Sequence, residues 1–364
     1  MPYEEKNTMK KIVSFALVFL LFCCALFSLT SCNKGVENEY VIRTKTVSYV
    51  HFNTVSILSS YGDTSEEEFD AYVKIADETL GYYHKLFDIY YEYEGINNLK
   101  TVNDNAGKKP VELDRELVDF LLRCKQLFTE TDGKTNVMLG SVLKIWHEKR
   151  ELAEANGGYL DESLLPSEEE LASAASHTSI ELLVIDEEAN TVYISDPLAS
   201  IDVGAIAKGY AADKLASRLK ELGADSLAIN AGGNIITIGT KGDGNAWVSG
   251  ITNPDKSSES SLACRIEMGE GSLVTSGNYE RFFISGNRRY HHVIDPETLM
   301  PSLHFASVSV FANDSALADA LSTALFCMSY EEGLALISRI EDVDVIWIYD
   351  GGEIRYTKGV RLAD

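Results

Sequence analysis

Two adjacent histidines, His291 and His292, stand in the stretch RYHHVIDPETLMP, residues 289–301. An imidazole titrates near neutral pH and can serve as a general base. Adjacent residues on a strand point to opposite faces of the sheet, so both histidines cannot readily serve one site. We therefore expect one catalyst and one bystander.

The segment IDVGAIAKGYAADKLASRLKELG, residues 201–223, reads as an apolar strand, a tight turn at Gly204 and a helix. Lys208 falls in the first helical turn, where a cation works against the helix dipole. An anion bound at that helix end would explain the lysine, because backbone N–H groups and an ammonium then cooperate. An exposed lysine on an ordinary helix explains it equally well.

Two further segments carry polar groups at suggestive spacings. NAGGNI, residues 230–235, places paired glycines after a strand, where a backbone can approach a ligand closely. In ALADALSTALF, residues 316–326, Asp319 and Thr323 are four apart and share a helix face. A carboxylate and a hydroxyl there suit Mg²⁺, although helix polarity and a threonine bonded to its own turn are an alternative. The chain lacks G-x-G-x-x-G and G-K-[ST] loops, which disfavours a Rossmann or Walker-type site.

The elements that must position these groups mix helices with antiparallel-looking strands, which predicts the α+β class. No linker-like break divides residues 46–364, so we expect a single domain. The periodicities predict a strand over 47–62, helices over 65–91, 114–133 and 313–328, a surface loop over 156–170, hairpins over 181–195 and 343–357, a strand-to-helix unit over 201–223 and a strand over 226–239.

The N-terminus has a secretory signal layout, with Lys10 and Lys11 before an apolar run, residues 12–29. The ending Leu-Thr-Ser-Cys at Cys32 resembles the bacterial lipobox, in which the cysteine is diacylated. This predicts a signal peptide over 1–31, a tether over 32–45 from lipidated Cys32, and a catalytic domain over 46–364. An uncleaved anchor is the alternative; either way we expect the chain outside the cytoplasm on the cell membrane.

The chain is strongly acidic, with a formal net charge of −24. Segment 1–31 holds three lysines and two glutamates, a net charge of +1, so the remaining chain carries −25. This balance argues against nucleic-acid binding, which needs a basic surface. An anionic substrate would need a local cation or a metal to overcome the general repulsion. Three cysteines remain after Cys32, and no disulfide framework is expected.

Four blocks occur in the order DVGAIAKGYAAD, NAGGNI, SGNYERFF with HVIDP, and ADALST. Together they resemble the signature blocks of the ApbE family, the FAD:protein FMN transferases, over residues 46 to about 357. HFNT (51–54) and DGKTNVMLGSVLKIW (132–146) resemble the family's flavin-contacting segments. One departure is Leu299 in DPETLMP, where the family usually has glycine.

The resemblance implies an ApbE-like, T-fold-related domain with mixed or antiparallel sheets flanked by helices. It implies an enzyme that binds FAD with Mg²⁺ and moves FMN through its phosphate onto a threonine of an extracytoplasmic flavoprotein, such as an electron-transport complex subunit, releasing AMP. The implied metal ligands are Asp319, Thr323 and the Ala205 carbonyl. His292 matches the catalytic position, which leaves His291 structural. The implied FAD contacts are Phe52, Tyr90 (or Tyr91, by stacking), Lys134, Thr135, Asn136, Asp202, Lys208 and Val293.

Two other functions stay open. A metal-dependent FAD pyrophosphatase would use water in place of the threonine hydroxyl. A lipoprotein that only captures flavin would need no base beside the metal, and His292, Asp319 and Thr323 argue against it.

Overall fold

The computed structural model describes residues 41–363. Its helices are α1 (Glu66–Phe87), α2 (Leu99–Asp104), α3 (Arg115–Glu130), α4 (Gly140–Ala155), α5 (Glu168–Ala175), α6 (Ala207–Glu221), α7 (Ser315–Phe326) and α8 (Tyr330–Ile337). Its strands are β1 (Val41–Ser48), β2 (Ser56–Gly62), β3 (Val111–Glu112), β4 (Leu183–Asp186), β5 (Thr191–Ile194), β6 (Ser226–Ala231), β7 (Asn234–Gly239), β8 (Trp247–Thr252), β9 (Leu262–Met268), β10 (Gly271–Gly277), β11 (Phe282–Ser285), β12 (Arg288–His291), β13 (Ser307–Ala312), β14 (Asp344–Ile348), β15 (Ile354–Tyr356) and β16 (Arg361–Leu362).

The central sheet has eight strands in the order β1-β2-β6-β7-β10-β13-β14-β15, and each neighbouring pair is antiparallel. Strands β8, β9 and β16 form a second sheet, β3, β4 and β5 a third, and β11 and β12 a hairpin. The predicted α+β class, with antiparallel sheets flanked by helices, is confirmed.

The central sheet buries both faces, because successive side chains of a strand point to opposite sides. On β14, Val345 and Trp347 pack with α7 and α8, whereas Ile346 and Ile348 pack with β8 and β9. Val274 on β10 joins the helical side and Leu273 the other. The sheet therefore lies between a helical layer, which carries α6 and α7, and the smaller sheet.

Local signals set several helix starts. Ser65 and Glu68 form a capping box at the start of α1, in which each side chain accepts a hydrogen bond from the backbone N–H of the other. Asp314 caps α7 by accepting a hydrogen bond from Leu317 N. The Asp213 carboxylate of α6 accepts hydrogen bonds from the backbone N–H groups of Ser315 and Ala316 in the same first turn. The start of α7 is thus fixed to α6, and the two helices hold the site residues described below.

Three expectations need correction. Residues 41–45 belong to β1, because they pair with β2, so the sheet begins inside the expected tether 32–45. HFNT (51–54) is a short 3-10 turn between β1 and β2 rather than part of one strand. Residues 201–203 form no strand before α6; Asp202 N donates to the Val137 carbonyl instead.

The predicted signal peptide, residues 1–31, and Cys32 lie outside the described residues, as does the tether up to residue 40. Within residues 41–363, no helix is long and apolar enough to cross a membrane.

Candidate active site

Asp319 is a buried carboxylate on α7 that faces the start of α6. Its Oδ2 accepts hydrogen bonds from Gly209 N at 2.9 Å and from Asn234 Nδ2 at 3.0 Å. Within the described part of the chain, Oδ1 has no hydrogen-bond donor. Burial raises the pKa of Asp319, whereas Lys208 and these two hydrogen bonds act in the opposite direction. The carboxylate is therefore held through Oδ2, and Oδ1 is available to a ligand such as a cation.

Gly209 allows α6 and α7 to approach closely enough for this contact. A Cβ at Gly209 would lie 2.2 Å from the Ser315 carbonyl oxygen and 2.8 Å from Asp319 Cβ. The glycine of the A-K-G segment is thus needed for close approach between helices, with no requirement for an unusual φ.

Lys208 lies one position into α6, as predicted, and is half-buried. Its Nζ donates to Asn234 Oδ1 at 2.7 Å. Asn234, the first residue of β7, therefore touches both Lys208 and Asp319. Three of the four signature blocks meet through this one amide.

The inferred metal ligands lie on two adjoining elements. Asp319 and Thr323 share α7 at the predicted i,i+4 spacing, and Ala205 lies in the turn that leads into α6. Residues 41–363 contain no group of three or more His, Cys, Asp or Glu side chains that could hold a metal. The inferred set has a single carboxylate, a hydroxyl and a backbone carbonyl, so such a group is not required. The oxygen chemistry and the uncommitted Asp319 Oδ1 fit Mg²⁺ with substrate oxygens completing its shell.

His291 ends β12, and both of its ring nitrogens are occupied. Nε2 lies 2.7 Å from the Ser302 carbonyl oxygen, and Nδ1 lies 3.2 Å from Val293 N. The carbonyl needs a donor and the amide an acceptor, which fixes a neutral imidazole protonated on Nε2. His291 is also buried against Phe326. These contacts agree with a structural residue.

His292 follows the strand in a bend, so the alternation argument ends at His291, but the two side chains still differ in environment. The His292 Nδ1 is buried without a hydrogen-bond partner among the described residues. Burial, followed by the charges of Arg281, His291, Arg150 and Lys208, lowers the pKa of His292 to about 3. His292 is thus a neutral imidazole at pH 7 with an uncommitted nitrogen.

Arg281 and Arg150 are site residues to which sequence reasoning gave no role. Arg281 adjoins His292 directly, since its carbonyl accepts from His292 N at 3.1 Å. Arg150, on α4, contacts His147 Nδ1 and is largely covered. The charges of both arginines act to lower the pKa of His292 and that of Asp202. Arg281 stands in the quoted SGNYERFF block, which was a usable signal; Arg150 stands outside all four blocks.

Asp202 lies in the turn that precedes Ala205. Its Oδ1 accepts from Gly204 N at 2.9 Å, which shapes that turn. Burial raises the pKa of Asp202, opposed by this hydrogen bond and by His147, Arg150 and Arg281. Asp202 and His292 therefore share the same two arginines, and the structure brings these two predicted residues into one region.

Tyr90 lies near this region, with its ring centroid 5.5 Å from that of His147. Partial burial, then the charge of Asp202, raises the pKa of Tyr90. Its side chain is 51% exposed, and that of Tyr91 is 69% exposed. The predicted flavin contact of Tyr90 or Tyr91 stays a prediction.

The segment Lys134-Thr135-Asn136 is bonded largely to the protein itself. Lys134 Nζ pairs with Asp295 at 3.1 Å and Glu297 at 3.0 Å. Burial alone would lower the pKa of Lys134, but these carboxylates outweigh it and the net shift is upward. Thr135 Oγ1 donates to the Ala320 carbonyl, and Asn136 caps the following turn through Met138 N. Lys134 thus links this loop to the HVIDP segment and Thr135 links it to α7, which leaves backbone groups as the better candidates for ligand contacts.

Phe52 is not among the contacts of the Lys208–Asp319 group. It packs against His84 and Phe87 of α1, and its backbone N donates to His84 Nδ1 at 3.3 Å. Phe52 and Asn53 have φ of 55° and 53°, a left-handed conformation that non-glycine residues adopt rarely, asparagine more often than phenylalanine. A Cβ on Gly232 would lie 2.2 Å from Thr54 Oγ1, so this strained turn packs directly on the NAGGNI turn.

Val293 is buried and joins two loops, since its carbonyl accepts from Ser302 N. Leu299 has φ of 60°, the left-handed region that favours glycine. Its carbonyl accepts from Trp146 Nε1 at 2.9 Å, and its N–H bonds to the Asp295 carbonyl. The turn therefore keeps a glycine-type conformation with leucine in place.

Comparison with known proteins decides the family. The profile of the ApbE family matches residues 52–347. The chain belongs to the ApbE family. It is 34% identical over 276 residues to an FAD:protein FMN transferase of Treponema pallidum, covering 72% of this chain and 73% of that protein. It is 28% identical to an FAD:protein FMN transferase of Klebsiella pneumoniae, covering 79% of this chain and 87% of that protein.

Solved structures agree on the ApbE fold. The crystal structure of the ApbE protein from Thermotoga maritima is similar with a TM-score of 0.72 at 24% identity, covering 88% of this chain and 97% of that chain. The resemblance inferred from the four blocks is thus confirmed at the level of family and fold. The roles of the individual ApbE-type residues stay predictions, including those of His292, Asp319 and Thr323.

Proposed function

We propose that the protein is an FAD:protein FMN transferase that depends on Mg²⁺ and modifies a threonine of an extracytoplasmic flavoprotein. One observation carries the proposal: an uncommitted Asp319 oxygen, the Lys208 ammonium and a neutral His292 occupy one region of an otherwise acidic protein. Family membership and the names of the relatives support the same activity.

The reaction balances without a redox partner. The threonine oxygen attacks the phosphorus of the FMN half of FAD, and a new P–O bond forms. The P–O bond to AMP breaks, and AMP leaves with the bonding electron pair. His292 takes the hydroxyl proton as general base.

The cationic side chains supply the binding energy for a pyrophosphate. Lys208 is in the first turn of α6, where the positive end of the helix dipole also favours an anion. Mg²⁺, held by Asp319, Thr323 and the Ala205 carbonyl, would neutralise phosphate charge.

The low pKa of His292 has a consequence for this mechanism. Burial lowers it most in the free protein, and the charges of Arg281, His291, Arg150 and Lys208 lower it further. An anionic pyrophosphate placed among them offsets their charge, which raises the basicity of the imidazole when the substrate is bound. Substrate binding thus opposes the electrostatic part of the lowered pKa, whereas the larger part, which comes from burial, remains.

Hydrolysis of FAD to FMN and AMP is the second candidate, because water can take the place of the threonine hydroxyl at the same base. Incubation with FAD, Mg²⁺ and a recombinant electron-transport flavoprotein subunit, followed by mass spectrometry, separates the functions. Covalent FMN-protein with AMP supports transfer. Free FMN and AMP without modified protein would make the enzyme a pyrophosphatase, and unchanged FAD would make it a flavin binder.

We propose further that Cys32 is diacylated and anchors the protein to the outer face of the cytoplasmic membrane. The support is the Leu-Thr-Ser-Cys sequence after the apolar run. Cys32→Ala should release the protein from the membrane fraction or leave the signal unprocessed. Unchanged acylation and processing in Cys32→Ala would contradict the anchor.

Metal dependence has its own test. Asp319→Ala should abolish the effect of added Mg²⁺ on FAD affinity, as measured by titrating FAD with and without the metal. Equal Mg²⁺ dependence in the variant and the wild type would rule out Asp319 as a ligand.

A further inference from the structure

Asn234 lies between the lysine and the carboxylate of the candidate site. Its Oδ1 accepts from Lys208 Nζ at 2.7 Å, and its Nδ2 donates to Asp319 Oδ2 at 3.0 Å. The side chain is only 1% exposed and follows the tight Gly232-Gly233 turn at the start of β7. The amide therefore has little freedom to move.

The chemistry of the two neighbours fixes the orientation of the amide. An ammonium can only donate, and an ionised carboxylate can only accept. A reversed Asn234 would place its oxygen against the Asp319 carboxylate and its NH₂ against the Lys208 ammonium. The observed arrangement satisfies both charges through one neutral group.

The Asn234 amide separates the Lys208 ammonium from the Asp319 carboxylate, two charges that would otherwise attract each other. Lys208 and Asp319, both within the described residues, form no ion pair with each other, although the lysine charge is felt at the carboxylate. Opposite charges in a partly buried site attract far more strongly than in water. With the amide removed, a direct Lys208–Asp319 ion pair is the nearest way to satisfy both groups.

We propose that Asn234 is a positioning residue that keeps Lys208 and Asp319 from pairing, so that the ammonium stays available for an anion and Asp319 Oδ1 for a cation. The nature of the two ligands, a pyrophosphate and Mg²⁺, rests on the proposed function. The separation of the two charges by Asn234 does not.

The test uses the full chain and Mn²⁺ as a spectroscopic substitute for Mg²⁺. Asn234→Leu keeps a similar volume but removes both hydrogen bonds. Mn²⁺ affinity is measured by the EPR signal of free Mn²⁺, with and without FAD. We expect a loss of about 10- to 100-fold, typical of groups that support metal ligands. Asn230→Leu is the matched control, because it breaks a hydrogen bond to Gly233 N in the same hairpin.

A double-mutant cycle identifies the cause. Lys208→Met removes the competing ammonium, so it should restore Mn²⁺ affinity much more in the Asn234→Leu background than in the wild type. Equal effects of Lys208→Met in both backgrounds would overturn the proposal. A crystal structure of Asn234→Leu should show the lysine directly on Asp319, and a lysine that turns away to solvent would also overturn it.

Two further outcomes are decisive. If Asn234→Leu does not fold, Asn234→Ala leaves more room; failure of both would make Asn234 a residue of the fold and overturn the positioning role. If the wild type binds Mn²⁺ and the cycle behaves as expected but no FMN is transferred, the proposed function fails while the role of Asn234 stands.

Discussion

Replacing Gly209 with alanine should separate α6 from α7 and weaken the site. A Cβ at this position would meet the Ser315 carbonyl oxygen at 2.2 Å and Asp319 Cβ at 2.8 Å. The first contact is with backbone, so no rotation of a side chain can relieve it. Ordinary contacts begin near 3.4 Å, and the helices would have to part by about 1 Å.

Two opposing effects decide whether Gly209→Ala raises or lowers the free energy of unfolding. Alanine in place of glycine favours a helix by about 1 kcal/mol. Overpacking between rigid elements costs about 1–3 kcal/mol and sometimes more. Because the clash is with backbone, we expect the upper part of that range and a net loss of about 1–2 kcal/mol. The same displacement lengthens the Gly209 N to Asp319 Oδ2 hydrogen bond, so FMN transfer should fall as well.

The assay is urea unfolding together with transfer rate and FAD affinity. Gly333→Ala is the matched control: Gly333 is also buried in a helix, α8, but its nearest neighbour is the flexible end of Leu325 at 3.2 Å. We expect a change within about 1 kcal/mol there. A Gly209→Ala protein that is as stable and as active as the wild type would refute the close-approach argument.

Three further predictions concern the histidines and the adjoining turn. His292→Asn should reduce FMN transfer by about 10²–10⁴-fold and retain FAD affinity. His291→Asn should mainly lower the midpoint of thermal unfolding, since both ring nitrogens of His291 are bonded. An inactive His291→Asn protein beside an active His292→Asn protein would reverse the assignment. Because the folded pKa of His292 lies near 3, below its unfolded value of about 6.5, its contribution to stability is complete above pH 6.5 and is lost as pH falls towards 3. His292→Asn should therefore flatten the dependence of unfolding free energy on pH between 3 and 6.5, and an unchanged slope would contradict the depressed pKa. Leu299→Gly should change the free energy of unfolding by less than about 1 kcal/mol, because relief of the left-handed φ offsets the lost packing and the greater freedom of the unfolded chain. Leu299→Val should be more destabilising. Equal stabilities of the two variants in urea unfolding would argue against strain at this turn.

Much of the fold followed from local signals. The starts of α1 and α7 lie within a residue or two of the predicted ones, and Asp319 and Thr323 share α7 as predicted, because these features depend on residues close in sequence. The failures had non-local causes. Residues 41–45 look like a polar tether because β1 is an edge strand that faces solvent, and only its pairing with β2 makes it a strand.

In the candidate site, too, some residues could be predicted from local sequence, whereas others depend on the fold. Lys208, Asp319 and His292 could be predicted as site residues because their blocks have recognisable spacing. Asn234 is an ordinary polar residue in a turn until the fold places it between a lysine and an aspartate. Lys134 illustrates what the sequence could not show: the family resemblance implied an FAD contact, and the fold adds ion pairs to two carboxylates distant in sequence.

The proposed activity is the covalent transfer of the FMN half of FAD to a threonine. The most direct measurement is the intact mass of a recombinant flavoprotein acceptor after incubation with this protein, FAD and Mg²⁺, with AMP quantified in the same reaction. We predict an acceptor heavier by the mass of the FMN group, one AMP released for each group attached, and no increase when the acceptor threonine is replaced by valine. Release of AMP with an acceptor of unchanged mass would contradict transfer and indicate hydrolysis of FAD.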